Sequence, residues 1–140
     1  MRPIDSAVRL DRALAAFLDA LQRRLRPTGA PILLHGHCHQ KAFGAVSPVL
    51  DVLRLIPGAE PTLIESSCCG MAGAFGYGAD TYDVSIAMGE LSLLPAVRKA
   101  DAGTVIVADG TSCRHQIADG TGRNAVHVAR VLADSLGKAR

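Results

Sequence analysis

The sequence predicts an α/β fold: a three-layer α/β/α domain with a small parallel sheet of three or four strands and cysteines at its carboxyl edge. Three observations favour this class. Short apolar runs alternate with segments of helical periodicity, the connections between runs exceed the length that parallel strands need, and each cysteine closely follows an apolar run. The length of 140 residues, with 49% hydrophobic and 20% charged residues, suits one globular domain.

The N-terminal segment predicts an amphipathic helix. Apolar residues recur at helical spacing over residues 6–25, opposite an arginine-bearing face, and Pro27 with Gly29 ends the pattern. We therefore divide the chain into an N-terminal helix and linker, residues 1–29, and a cysteine-rich domain, residues 30–140, which together form one compact domain. The arginines lack interleaved aromatic residues and the net charge is only +2, so no nucleic-acid partner is expected.

Three apolar runs have the character of strands buried on both faces: residues 31–34, 62–64 and 105–108. Residues 125–127 are either a fourth strand or a connector. Helical spacing of apolar residues predicts a helix from Phe43 to about residue 53, one from Val84 to about residue 91 and a closing helix from Val128. Pro95 either kinks the second of these or begins a new turn, because it has no N–H to donate.

The cysteines follow the predicted strands at a nearly constant distance. Cys38 lies four residues beyond the first strand, Cys68 and Cys69 lie four and five beyond the second, and Cys113 lies five beyond the third. In an open parallel sheet the loops after the strands emerge at the carboxyl edge, where ligands bind. The topology therefore predicts that all four thiols converge on one site, although they are far apart in the chain.

Converging thiolates repel one another, and a metal ion or an iron–sulfur cluster removes that repulsion. Zinc takes four tetrahedral ligands and cubane clusters take four cysteines. The adjacent pair Cys68 and Cys69 suits a polynuclear cluster better than a single ion, because each thiolate can bind a different iron. Gly70 and Gly73, in a glycine-rich segment, allow backbone N–H groups to approach the centre. Two alternatives stay open: a thiol–disulfide redox centre at Cys68–Cys69, and a zinc-stabilised binding module.

Three motifs resemble the cysteine-rich CCG domain family. They are Gly-His-Cys-His-Gln-Lys at 36–41, Cys-Cys-Gly-Met-Ala-Gly at 68–73 and Ser-Cys-Arg-His-Gln at 112–116. The family includes the cysteine-rich component of heterodisulfide reductase, the iron–sulfur subunits of glycolate oxidase and of anaerobic glycerol-3-phosphate dehydrogenase, and the C-terminal region of FAD-linked oxidases of D-lactate and other 2-hydroxy acids. The last group is matched best, and the resemblance covers about residues 30–136.

The resemblance implies a set of site residues. Cys38, Cys68, Cys69 and Cys113 would bind an iron–sulfur cluster of the 4Fe-4S type, or alternatively zinc, with Gly70 and Gly73 beside it. The fuller family pattern ends in CxxC, and the second cysteine is replaced here by Gln116. His115 is the candidate to substitute for that cysteine, and His37 and His39 are further candidate metal ligands. His35, His37 and His39 alternate around Cys38, so one of them is able to reach the centre.

The resemblance also implies an electron-transfer role within an oxidoreductase. The chain would serve a flavin-linked 2-hydroxy-acid dehydrogenase or oxidase, with FAD on a partner domain or subunit, and it would not oxidise a hydroxy acid alone. A ferredoxin-like domain and a quinone or disulfide acceptor are the other implied partners. The sequence has no apolar run of the ~18 residues that span a bilayer and no secretory signal. We therefore expect a cytoplasmic location, with contact to the inner face of the membrane through partners.

Overall fold

The computed structural model describes residues 4–136 and places side chains from residue 11 onward. Its sheet has four parallel strands, which confirms the predicted fold class. They are β1 (Ile32–His35), β2 (Thr62–Leu63), β3 (Val105–Ala108) and β4 (Ala125–Val126), in the order β2-β1-β3-β4. The outermost parts of the two predicted segments, residues 1–3 and 137–140, lie outside the described residues.

Helices cover both faces of this sheet, as the three-layer prediction requires. They are α1 (Ile4–Gln22), α2 (Cys38–Ala42), α3 (Val46–Arg54), α4 (Tyr82–Glu90), α5 (Leu93–Lys99), α6 (Thr111–Thr121) and α7 (Val128–Ser135), with a 3-10 turn at Phe75–Tyr77. On one face α3 and α7 pack together against β3, and on the other α5 packs against α6. The described helices and strands therefore form three layers.

Alternation along the strands divides the interior into two apolar clusters. Ile32, Leu34 and Val107 belong to the cluster under α3 and α7, while Ile106 and Ala108 belong to the cluster under α5 and α6. Successive side chains of a strand point to opposite faces, so every residue of the central strands is buried or half-buried. This accounts for the continuous apolar runs in the sequence.

The strand order creates a topological switch point between β1 and β3. The chain leaves β1 for its neighbour β2 and then returns to β3 on the other side of β1. The connecting helix α3 covers one face of the sheet and α5 the opposite face. Ligands of open α/β sheets bind at the carboxyl ends of the strands beside such a point. Here those ends are His35 and Ala108, which lie in register.

One helix differs from the sequence expectation. The helix expected from Phe43 begins at Val46 instead, because Phe43 closes a separate short helix, α2, and Gly44 follows it with a φ of +64°. Of the two alternatives for Pro95, the new turn is confirmed. Pro95 lies in the first turn of a new helix, α5, where a missing N–H leaves no intrahelical bond unmade.

The described part of α1 stands apart from the sheet. Residues 11–20 are all exposed, and they include Leu14 and Phe17, which are 54% and 62% exposed. The chain joins the core at Leu21, which is half-buried against it, and at Leu25, which is buried and forms an antiparallel bridge with Leu136. Among the described residues, no helix combines the length and the apolar character that crossing a bilayer requires.

The guanidinium of Arg123 holds together the segment that enters β3. It donates hydrogen bonds to four carbonyl oxygens: Val97 at 3.3 Å, Ala100 at 2.9 Å, Ala102 at 3.3 Å and Thr104 at 2.8 Å. These carbonyls run from the last turn of α5 to the residue before β3. The contact therefore fixes the path of the chain from α5 into β3, the strand that precedes Cys113.

We predict that Arg123→Ala lowers the free energy of unfolding by about 2–3 kcal/mol, since the carbonyls lose a charged donor. The matched control is Arg54→Ala, which removes only an exposed pair with Asp51 at 3.0 Å and should cost about 0.5 kcal/mol or less. Urea unfolding followed by circular dichroism measures both. Equal losses in the two variants would contradict this role of Arg123.

Candidate metal centre

All four cysteines lie beyond the carboxyl ends of the parallel strands, as predicted. Cys38 begins α2 and is exposed, Cys68 is half-buried, and Cys69 and Cys113 are buried. Cys113 lies in the first turn of α6, whose positive end favours negative charge on a nearby sulfur. All four are free thiols.

The buried end of the site contains a histidine as well as two thiols. Ligand atoms of His35, Cys69 and Cys113 lie within 4.8 Å of one another, and all three residues are buried. The Nδ1 atom of His35 makes a hydrogen bond of 2.9 Å with Ser66 Oγ. Its Nε2 atom is fully buried and has no hydrogen-bond partner among the described residues. A polar atom in that state is costly, and a bound metal ion would satisfy it.

The two buried thiols hold different charges. The hydrogen bond that Cys113 donates to Cys69 lowers the pKa of Cys69 to about 4, against the opposing effect of burial, and His35 and the Met71 N–H lower it further. The same hydrogen bond, together with burial, raises the pKa of Cys113 far above that of an ordinary thiol. At neutral pH the pair therefore carries one proton and one negative charge, and a cation would displace the proton.

The two outer thiols, Cys38 and Cys68, lie beside the buried group but outside the set of ligand atoms that are within 4.8 Å of one another. Cys38 and Cys68 lie within hydrogen-bonding reach of each other. Burial raises the pKa of Cys68, the Gly70 N–H opposes that effect, and the charges on Cys69 and Cys38 add to the rise. Charges on Cys38 and Cys68 also act on Cys113, so the four residues share one electrostatic environment. Such a set of thiols loses its protons together when a metal binds.

The two glycines predicted to lie beside the centre have different surroundings. Gly70 has a φ of +94°, its N–H donates to Cys68 Sγ at 3.3 Å, and a Cβ there would overlap the carbonyl oxygen of Ser85. Gly73 has a φ of +71°, is exposed, and has open space where a Cβ would lie. The glycine that ends the Cys-Cys-Gly motif is thus required by both backbone conformation and space.

The first motif builds the loop that carries Cys38. His37 Nδ1 accepts from the N–H of His39 at 3.2 Å, and Gln40 Oε1 accepts from the N–H of His37 at 3.0 Å, so the two side chains cap α2 reciprocally. Gln40 also donates to Asp109 Oδ2 at 2.7 Å. These contacts join the loop after β1 to the loop after β3.

Lys41 joins the same loop to the segment that precedes the cysteine pair. Its ammonium donates to the carbonyl oxygens of Ser66 and, at 3.1 Å, Ser67. These are the two residues before Cys68. Lys41 therefore ties the helix that begins at Cys38 to the segment that leads into the cysteine pair.

The three histidines proposed from the sequence as candidate ligands are held in other ways. His115 is exposed, with its Nδ1 2.5 Å from the Tyr77 hydroxyl, and His39 is exposed and packs on Phe43 with ring centroids 5.0 Å apart. The ring of His37 lies over Gly110, where a Cβ would also be 2.9 Å from Cys113 Sγ. His37 is therefore near the sulfurs, but the histidine that the structure places among them is His35.

Sequence reasoning missed several residues that position the site. Gln116 is 2% exposed, and its amide donates to the Ser85 carbonyl at 3.1 Å and to Ser85 Oγ at 3.2 Å. Ser85 in turn lies against Gly70 and Gly76. Gln116 could have been identified from the sequence, because it is a polar residue at a helix position that should face the core. The importance of Ser85 and Lys41 depends on contacts across the fold and had no local signal.

Comparison with known proteins shows that the chain is similar in sequence to part of one dehydrogenase subunit. It is similar to the C subunit of anaerobic glycerol-3-phosphate dehydrogenase from Escherichia coli, in strain K12 and in O157:H7. Each relative is 33% identical over 112 residues, which cover 80% of this chain and 28% of the relative. The chain thus spans less than a third of the length of these relatives. No family model and no solved structure matches the chain. The resemblance drawn from the motifs includes this dehydrogenase, and the match supports that part of it.

We predict that Gly70→Ala lowers the free energy of unfolding by about 2–5 kcal/mol and removes most metal binding, because both a left-handed backbone and an overlap with Ser85 oppose it. Gly73→Ala is the matched control. It meets only the backbone strain, about 1–2 kcal/mol, and should keep its metal. Thermal unfolding and metal analysis per chain measure the difference, and indistinguishable variants would refute the assignment.

Proposed function

We propose that the chain is an iron–sulfur electron-transfer domain of a flavin-linked dehydrogenase system, with a cluster of the 4Fe-4S type on Cys38, Cys68, Cys69 and Cys113. The observation that supports this most strongly is the convergence of these thiols from three separate loops on one edge of the sheet. Four free, mutually interacting thiols beside an unsatisfied buried nitrogen form a donor set that such a cluster fits. The cluster, when bound, supplies one-electron transfer.

The protein residues have distinct tasks around that centre. Cys69 and Cys113 lie within the apolar cluster beneath α5 and α6, so they would hold the metal centre where water is excluded. The Gly70 N–H donates to Cys68 sulfur and partly offsets its negative charge. Cys38 lies at the exposed end, where an electron donor or acceptor can approach closely.

The partners follow from the resemblance and from the relatives. We assign FAD and the oxidation of a 2-hydroxy acid to a separate dehydrogenase domain or subunit, on which this chain docks. A ferredoxin-like domain and a quinone or disulfide acceptor complete the proposed route for electrons. The name of the E. coli relatives makes a glycerol phosphate substrate the other choice for the parent enzyme. We place the assembly in the cytoplasm, at the inner face of the membrane through its partners.

The second candidate function is thiol–disulfide exchange by Cys68 and Cys69, and one observation favours it. The pKa of Cys69, lowered to about 4, would keep it ionised and reactive. However, Cys69 is only 3% exposed, so a substrate disulfide has no direct access to it. Zinc is the remaining alternative, since a buried histidine and cysteines are ligands that it prefers. The same experiment separates all three.

We predict that the chain purified without oxygen is brown and contains iron and sulfide, and that Cys→Ser at position 38, 68, 69 or 113 removes most of that iron. A serine hydroxyl ionises far less readily than a thiol and is a harder ligand. His127→Ala is the control, because His127 caps α7 and its other nitrogen faces Asp109 at 3.6 Å. Iron and acid-labile sulfide analysis with visible absorption measures the effect.

Two results would redirect the proposal. A colourless protein with zinc bound to the cysteines would establish the binding module instead. A protein without metal, whose disulfide exchange depends on Cys68 and Cys69 but not on Cys38, would establish the thiol–disulfide function.

A further inference from the structure

We propose that His35 is itself a ligand of the metal centre, through Nε2, and that its imidazole supplies the donor that the sequence lacks at Gln116. This inference deepens the proposed function, on which it rests for the identity of the metal. It extends the four-cysteine set to four sulfurs and one nitrogen, one donor more than the four that a cubane cluster takes. The sequence indicates His115, His37 and His39 as candidate ligands, and His35 only as one of three histidines around Cys38 that are able to reach the centre.

The first support is the state of the His35 side chain. The residue is fully buried, and its Nε2 has no hydrogen-bond partner of normal geometry among the described residues, although the ring lies close enough to the Cys69 sulfur to lower the pKa of that thiol. A ligand atom of the same ring lies within 4.8 Å of both Cys69 and Cys113 sulfurs. Leaving a buried imidazole nitrogen unpaired costs about 1–3 kcal/mol, which a bond to a metal ion would offset.

The second support is the way in which the ring is held. Nδ1 lies 2.9 Å from Ser66 Oγ, and Ser66 is itself fixed by Lys41 through its carbonyl oxygen. Histidine ligands generally bind metal with one nitrogen while the other hydrogen-bonds to a neighbouring group that sets the ring orientation. When Nδ1 carries the proton and donates it to Ser66, Nε2 keeps its lone pair and is the ring atom that is free to bind a metal.

The third support is the position of His35 in the sheet. It is the last residue of β1, beside the switch point, and its register partner is Ala108. The small Ala108 side chain leaves space on the face that also carries Cys113 and Cys69. A leucine or valine would continue the apolar pattern of β1 at this position, and the strand has a histidine instead.

The other candidates are engaged elsewhere. His115 Nδ1 is paired with the Tyr77 hydroxyl, and His37 Nδ1 accepts from a backbone N–H in the cap of α2. The amide of Gln116 is bonded to Ser85, so this side chain supports the loop of the cysteine pair. Among the described side chains, His35 alone has a buried polar atom without a hydrogen-bond partner.

Ligation by His35 has a consequence for electron transfer. A neutral imidazole in place of a thiolate makes the centre one unit less negative, which favours the reduced state and raises the reduction potential. The direction is the same as in clusters where histidines replace cysteines. His35→Cys should therefore shift the potential of the loaded chain to a lower value.

The test uses the whole chain loaded with iron and sulfide, made with ¹⁵N-labelled or unlabelled histidine and brought to a paramagnetic state. Pulsed electron paramagnetic resonance should show a directly bound nitrogen whose coupling changes with the isotope. The coupling should disappear in His35→Ala and persist in His39→Ala and His115→Ala. Loss of the coupling only in His115→Ala, or a wild-type signal without bound nitrogen, would overturn the proposal.

Two further measurements keep the test decisive if His35→Ala does not fold. The isotope comparison in the wild-type chain needs no variant. His35→Gln, which can still hydrogen-bond to Ser66, takes the place of His35→Ala if the alanine variant unfolds. Loading with Co²⁺ alone tests His35 without iron: the visible absorption bands should differ between the wild type and His35→Gln, and identical bands would count against ligation. A chain that takes Co²⁺ through His35 but never iron would refute the proposed function and leave His35 ligation intact.

Discussion

Because β1 lies between β2 and β3 and all three strands are parallel, the connections that follow them open at one edge of the sheet. This topological constraint brings together residues that the sequence separates widely. The loop after β1 supplies Cys38, the loop after β2 supplies the cysteine pair, and the first turn of α6 after β3 supplies Cys113. The strand β1 also contributes His35 from its own end. Without the reversal of strand order beside β1, these groups would not face the same crevice.

A network of polar side chains ties the loops after the strands to one another and so fixes the relative positions of the cysteines. Lys41 joins the loop after β1 to the segment before Cys68, and Gln40 joins it to Asp109 after β3. Asp109 in turn accepts the N–H of Val128 at 3.0 Å, which ties the start of α7 to the same edge. On the opposite face, Gln116 bonds to Ser85. The motif residues around the cysteines are therefore mainly concerned with holding the loops in place.

The sequence was sufficient for the sheet, the strands that end near the site and the placement of all four cysteines, because apolar runs and cysteine spacing are local patterns. It identified the glycine of the Cys-Cys-Gly motif but not the reason for it, since the carbonyl of Ser85 approaches from another helix. It identified a histidine pattern around Cys38 without showing that His35 turns inward. That outcome depends on where β1 ends and on the small Ala108 beside it, and neither is visible from spacing alone.

Burial sets the distribution of charge across the site. The inner end, at Cys69 and Cys113, is almost free of solvent, and there the two thiols hold only one negative charge between them. Additional negative charge in that region would be expensive to bury. A neutral imidazole is a donor that can bind a cation there without adding charge, while Cys38 lies at the exposed end. A mixed nitrogen and sulfur ligand set is therefore the one that the burial of this crevice favours, and it leaves the solvent-facing end as the side on which a redox partner would meet the centre.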